Sequence, residues 1–171
     1  MANKKITDLT ELTEAASNDY LEIVDTSANA SKKITRKNLS GWHFLTTPKT
    51  STSWDGDARS TTAKTKIDLS AVFGVPARAK GILVRLAARD SGSSAGYCHF
   101  SLSPNAIDKS GDAIDKSGVA IQAYLHGVPN DVYVSVNGVV PCDANGDVYY
   151  QIAASGTGTL DAIIEIWGYW L

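Results

Sequence analysis

From Lys66 onward the chain is a succession of short runs in which apolar and polar residues alternate, and a period of two admits little besides paired β-strands. The expected strands are Ile67–Leu69, Gly81–Ala88, Gly96–Ser103, Val119–Leu125, Asp131–Val136, Val139–Cys142, Asp147–Ala154 and Leu160–Trp170. In the second, Ile82, Val84 and Leu86 face one way and Arg85 the other. Further on, Val132, Val134 and Val136 oppose Tyr133 and Ser135, and Val148, Tyr150 and Ile152 oppose Tyr149 and Gln151. Asn137-Gly138 and Asn145-Gly146 offer the positive φ angles of tight hairpins, so a three-strand meander is expected over residues 131–154. No run has a convincing helical period. Seven or eight strands with these turns define an all-β fold, a β-sandwich or jelly roll over residues 66–171. An apolar content of 43% is enough for one core.

Residues 1–41 follow another rule. They hold about ten sizeable apolar side chains, too few to outweigh the entropy of ordering such a segment alone. Ile6, Leu9 and Leu12 recur at three-residue spacing, as in a short helical or extended docking piece. Ser17-Asn18-Asp19 breaks the pattern, and Tyr20–Asp25 reads as a strand. Leu21 and Ile23 lie on one face of it and Tyr20 and Val24 on the other, so both faces ask for cover. Thr26–Ser31 reads as a loop. Ile34 then leads to Thr35, an N-cap for a short helical turn that carries Leu39 and stops at Gly41. The segment is expected to be an extended anchor docked on a partner, with packing on its own C-terminal domain as the alternative. Residues 42–65 read as a linker and first contact segment: apolar Trp42–Leu45 is expected to lie against the following domain, and Thr46–Thr65, rich in Ser, Thr, Lys and Asp with Trp54 its main apolar residue, to be a long surface connection.

The order Lys5-Ile6-Thr7-Asp8-Leu9-Thr10-Glu11-Leu12, then Leu21-Glu22-Ile23-Val24-Asp25, then Lys32-Lys33-Ile34-Thr35-Arg36-Lys37-Asn38-Leu39 resembles the N-terminal attachment module of tailed-bacteriophage virion proteins. Such modules occur on tail fibres, tail spikes and head-associated proteins. The resemblance covers about a quarter of the chain and implies a virion location. It also implies docking on capsid or tail proteins through Ile6, Leu9, Leu12, Tyr20, Leu21, Ile23, Val24, Ile34 and Leu39. The C-terminal part resembles β domains of phage virion proteins in Ile67-Asp68-Leu69-Ser70, in Val75–Gly81, in Asp143–Tyr150, and in Ala154–Leu160 running into Ile166–Trp170. That likeness implies a homotrimer. The last strand fits it, because Ile163, Trp167 and Tyr169 would form one apolar face and Leu160, Ile164, Ile166 and Trp170 the other. A chain of 171 residues has no room for a shaft, so a capsid decoration, cement or short head-fibre protein is expected ahead of a tail fibre.

Charge and motifs exclude several other classes. The net charge is −2, and residues 1–41 carry six Lys/Arg against six Asp/Glu, so neither the whole chain nor the anchor suits nucleic acid. No secretory leader and no membrane span is expected, since Met1–Lys5 is followed by polar alternation. Cys98 and Cys142 form no CxxC and are expected to be reduced, buried thiols on strands, with a disulfide or a surface thiol as the alternatives. Gly92-Ser93-Ser94-Ala95-Gly96 has the letters of G-x-S-x-G, but a strand rather than a helix is expected after it. Asp143, Asn145 and Asp147 alternate like calcium ligands, yet an EF-hand would need Gly where Val148 stands and Glu where Ala154 stands. His43, His99 and His126 are isolated, and no paired carboxylates suggest a glycosidase. No enzyme, no metal and no cofactor is expected. Tyr97, His99 or Trp54 could stack on sugars of a host surface glycan, aided by loops at Ser91–Ala95 and Asp108–Gly118. The second loop contains a doubled Ala-Ile-Asp-Lys-Ser-Gly, at 106–111 and 113–118.

Overall fold

A computed structural model describes residues 20–25, 30–35, 41–51, 54, 61–107 and 118–171. The chain divides into two compact units, residues 1–40 and 41–171. In the first, β1 (Tyr20–Asp25) pairs antiparallel with β2 (Ala30–Thr35), from Tyr20 opposite Thr35 to Asp25 opposite Ala30. β2 therefore begins inside the stretch expected as a loop and brings Ile34 opposite Leu21. Ile6, Leu9, Leu12, Leu39 and the helical turn expected after Thr35 lie outside the described residues.

Among its described residues the second unit has eight strands and one short helix. They are β3 (Trp42–Lys49), β4 (Thr61–Ile67), α1 (Leu69–Phe73), β5 (Gly81–Asp90), β6 (His99–Ser103), β7 (Ile121–Tyr124), β8 (Val134–Pro141), β9 (Val148–Ala153) and β10 (Leu160–Trp170). Two four-stranded antiparallel sheets, in the orders β3-β10-β5-β8 and β4-β9-β6-β7, make a sandwich-like pair. The core lies between them. Val84 and Leu86 of β5 and Ile164 and Ile166 of β10 come from one sheet; Phe100 and Leu102 of β6 and Val148 and Ile152 of β9 come from the other. Trp54 joins this core, stacked on Phe100 at 5.4 Å and edge-on to Tyr150.

Four expectations are corrected. Residues 42–65 are not a plain linker, because they supply β3 and most of β4. Leu69 is not a strand end: Asp68 caps α1 by accepting the Ala71 N–H at 2.9 Å, and Gly74, at φ 64°, closes it. Asn137-Gly138 makes no hairpin. It sits inside β8, where Arg85 and Val84 are its partners, so Asp131–Val136 and Val139–Cys142 are not two strands of a meander. β8 and β9 belong to different sheets, and Asn145-Gly146 turns the chain from one to the other. The faces of β10 also differ from expectation. An extra residue at Trp167 shifts the register between Ile166 and Gly168, and a one-residue shift exchanges the faces beyond it. Tyr169 consequently turns inward beside His43, while Trp170 joins Ile163 and Trp167 on the outer side.

Candidate functional site

Three places in the second unit concentrate chemically capable side chains. The first is the loop cluster at the Asp90 end. Asp90 is fully buried where β5 ends. Its carboxylate accepts from the Gly92 N–H at 2.7 Å, the Ser155 N–H at 3.0 Å, the Thr159 hydroxyl at 3.0 Å and the Ser155 hydroxyl. Burial alone would raise the Asp90 carboxyl, but the Ser155, Gly92 and Thr159 donors outweigh it and hold the group below the usual carboxylate range. Ser93 is buried beside it and bonds the Asp90, Val128 and Pro129 carbonyls. The G-x-S-x-G letters have a packing origin. A Cβ at Gly92 would come within 2.3 Å of Ser155 Oγ, and one at Gly96 within 2.9 Å of Ser155 Cβ. The middle Ser94 is exposed, its N–H bonds Asn130 Oδ1 at 3.0 Å, and the chain runs on into β6. This is a three-loop knot, not a nucleophile elbow.

Against that knot lies an aromatic group. Tyr97 meets Tyr124 edge-on at 5.8 Å, and His126 lies 6.2 Å from each of them. His126 Nδ1 is 2.8 Å from the Gly96 carbonyl, which can only accept, so Nδ1 carries the proton. Tyr124 is well exposed, and the Tyr97 hydroxyl is buried without a hydrogen-bond partner. Of the three candidate sugar stackers, only Tyr97 belongs to an exposed group. Trp54 is in the core, and His99 is buried under the outer side of β6. The signal that sequence reading missed is Tyr124, exposed at the end of β7 and opposite His99.

The second place is the Asp143–Asp147 turn. Asp143 Oδ1 accepts the N–H groups of Asn145 and Asp147, each at 2.9 Å, and its Oδ2 takes the Tyr149 hydroxyl. Asp147 accepts from the Leu69 N–H at 3.2 Å and from Lys66 Nζ at 3.0 Å, and that carboxylate raises the lysine. Each carboxylate is committed to protein donors that shape the turn, which is a structural use. Among the described residues no three His, Cys, Asp or Glu side chains converge as a metal site would require.

The third place is the outer face of the β3-β10-β5-β8 sheet, where Trp42, Phe44, Trp167 and Trp170 are exposed together. Trp42 lies between Phe44 at 6.2 Å and Trp170 at 6.4 Å, with ring planes within 20°. Ile163 and Trp167, two of the expected interface residues, are on this side of the sheet, and Tyr169 is not. The two thiols are free. Burial first, and the nearby Asp90 second, pushes Cys98 up to about 11; burial, with Asp143 and Asp147 nearby, pushes Cys142 up to about 12. Neither is a thiolate at neutral pH. Both sit just off strands, Cys98 before β6 and the half-buried Cys142 after β8.

No protein-family model matches the chain, and no curated protein matches it.

Proposed function

We propose that this chain is a non-enzymatic structural protein of a tailed-phage virion, a capsid decoration, cement or short head-fibre protein held by residues 1–41. The observation that carries this reading is the ordered pattern from Lys5 to Leu39, with its similarity to virion attachment modules. A separate compact unit over residues 1–40, with a β1–β2 hairpin at its centre, fits an element whose role differs from that of the sandwich. On this reading a groove between capsid subunits orders the anchor, in part by strand addition. The sandwich is a jelly roll: numbering its strands one to eight, the sheet orders 1-8-3-6 and 2-7-4-5 support that topology. Copies assemble as a homotrimer, and three anchors hold far more tightly than one.

The test is deletion of residues 1–41, followed by co-sedimentation with particles that lack the protein. Full-length chain is expected to pellet with them and the truncated chain to stay in the supernatant with its β-sheet circular dichroism intact. A truncated chain that still decorates particles removes the anchor.

A second reading has its own observation. The Tyr97–Tyr124–His126 group, next to the Ser91–Ala95 loop, presents stacking faces and polar tips as a glycan site would. A short tail fibre or tail-tip protein would meet a host surface glycan there. Binding to a glycan array that Tyr124→Ala abolishes supports this reading, and an array with no signal removes it.

A further inference from the structure

Two successive rows of outward residues cross the β3-β10-β5-β8 sheet at its Gly81 end. The first is Trp42, Trp170, Gly81 and Pro141; the second is Phe44, Gly168, Leu83 and Val139. Trp167, at the register shift, stands beside them. Exposure is 39% for Trp42, 73% for Phe44, 37% for Trp167, 42% for Trp170 and 50% for Val139. We infer that this face is an interface between copies of the chain, centred on the Phe44–Trp42–Trp170 row of rings.

Area is the first argument. An aromatic side chain offers up to about 250 Å², so the four exposed aromatics leave about 400 Å² of apolar surface in one patch. That is within the range of the largest apolar patch on a typical monomer, a patch that is often functional. A stable interface takes about 800 Å² from each partner and is apolar over somewhat more than half of it. The patch therefore supplies the apolar share of one such surface, with polar rim to spare.

Charge is the second argument, and it selects the occupant. Neither row contains a charged residue. The neighbouring cation, Lys80 Nζ, is held over the Trp170 ring at 5.4 Å from its centre. In the next row toward the Asp90 end, the Arg85–Glu165 pair, at 3.1 Å, cancels its own charge. Identical charged faces would repel one another, whereas a neutral apolar face can meet its own copy about a symmetry axis. A sugar is a poorer fit. Leu83, Val139 and Pro141 continue the surface with aliphatic groups that offer hydroxyls nothing to bond.

The open edge is the third argument. β8 borders the patch, pairs with β5 in unbroken register over all eight residues, carries no charge, and has its one proline, Pro141, only at its last position. The other three edges are blunted. β7 has four residues, β4 carries Lys64 and Lys66 and a register shift, and β3 leaves register between Phe44 and Lys49, around Pro48. The unprotected edge thus adjoins the bare face, as expected if a neighbouring subunit covers both.

This inference rests on the homo-oligomer reading above and specifies its surface. Three of the four tryptophans are on the face and Trp54 is in the core, so intrinsic fluorescence reports the face directly. The full chain is diluted from micromolar to nanomolar concentration, with mass followed by sedimentation velocity. The expected result is an oligomer whose emission shifts to the red as it dissociates. Phe44→Ser and Val139→Lys, each at an exposed position, should weaken association by at least about 30-fold, the loss of one interface hot spot. Their unchanged far-ultraviolet circular dichroism would show that each is folded. An oligomer that associates equally well with either substitution overturns the proposed surface but leaves oligomerisation standing. A wild-type chain that is monomeric throughout overturns both. Attachment is judged separately, by particle co-sedimentation.

Discussion

The two outer faces of the sandwich have exchanged the usual roles. On the β3-β10-β5-β8 side, Trp42, Phe44, Trp167, Trp170 and Val139 are apolar and exposed; on the β4-β9-β6-β7 side, His99, Ser101, Ser103 and Gln151 are polar and buried. The polar side is covered from within the unit. Lys64 Nζ on β4 donates to the Ile107 carbonyl at 2.6 Å, which carries the chain leaving β6 across to a strand two places away. Ser101 Oγ stays satisfied beneath by the Gln151 carbonyl at 3.4 Å. The difference teaches that polarity does not decide which side of a sheet is covered. A connection that crosses a face buries whatever lies there, and a face that none of the described connections crosses stays bare even with three tryptophans on it.

Two joints keep these faces distinct, and each can be broken. At one end, Asp90 ties the end of β5 in the apolar-faced sheet to Ser155, just beyond β9 in the other. Asp90→Ala removes a buried carboxylate that takes four donors and is expected to cost about 3 kcal/mol, the larger effect of the two joints. Denaturant unfolding at pH 7 measures it. The pH dependence has a definite sign. The folded carboxyl titrates below its unfolded value, so its contribution is present above about pH 4 and is lost as pH falls through the folded value. Stability of the wild type should therefore drop more steeply in that acid range than that of Asp90→Ala.

The second joint is the turn from β8 to β9, and the two Asn-Gly pairs make it a controlled experiment. Gly146 has φ 91°, and a Cβ there would lie 2.6 Å from the Arg78 nitrogen. Gly146→Ala should cost about 2 kcal/mol, from backbone strain and the collision together. Gly138 lies within β8, and its added Cβ would meet only the flexible end of Ile121, at 3.1 Å. Gly138→Ala should change stability by no more than about 0.5 kcal/mol, because leaving glycine in a strand is itself mildly favourable. Equal losses at the two positions would mean that both pairs are turns after all.

These same residues mark where the sequence was legible. Strands with a clean alternation, β5 and β9 above all, were read with the right inner face, because period two and burial agree there. Partnering was not legible. Turn chemistry at Asn137-Gly138 is local, whereas β8 is set by eight consecutive pairs with β5, some 50 residues earlier. Five-residue α1 is too short to show a period, although Asp68 and Gly74 are its cap and stop signals. β3 was hidden because Thr46 and Thr47 break its alternation where it leaves the register of β10. The aromatic face required both β3 and the shift at Trp167. Without them Trp42 and Phe44 belong to a linker's contact segment, and Tyr169 takes the place of Trp170.

The smallest expected effect is the most informative about the faces. In a monomeric background such as Val139→Lys, Phe44→Ser replaces a ring that is already 73% exposed, so little apolar area is lost from the folded state. Its cost should be below about 0.5 kcal/mol, as for other exposed positions. Phe100→Ala in the shared core should cost about 3–5 kcal/mol, since that ring is fully buried against Trp54. Unfolding of the monomer in denaturant separates the two. A loss of several kcal/mol at Phe44 would mean that the same chain covers its own aromatic face, which would make the two sides alike and leave no free surface for a neighbouring copy. A near-zero loss, with association weakened in the wild-type background, assigns the work of Phe44 to contacts between chains, because a side chain that contributes nothing to the fold yet controls assembly must act across an interface.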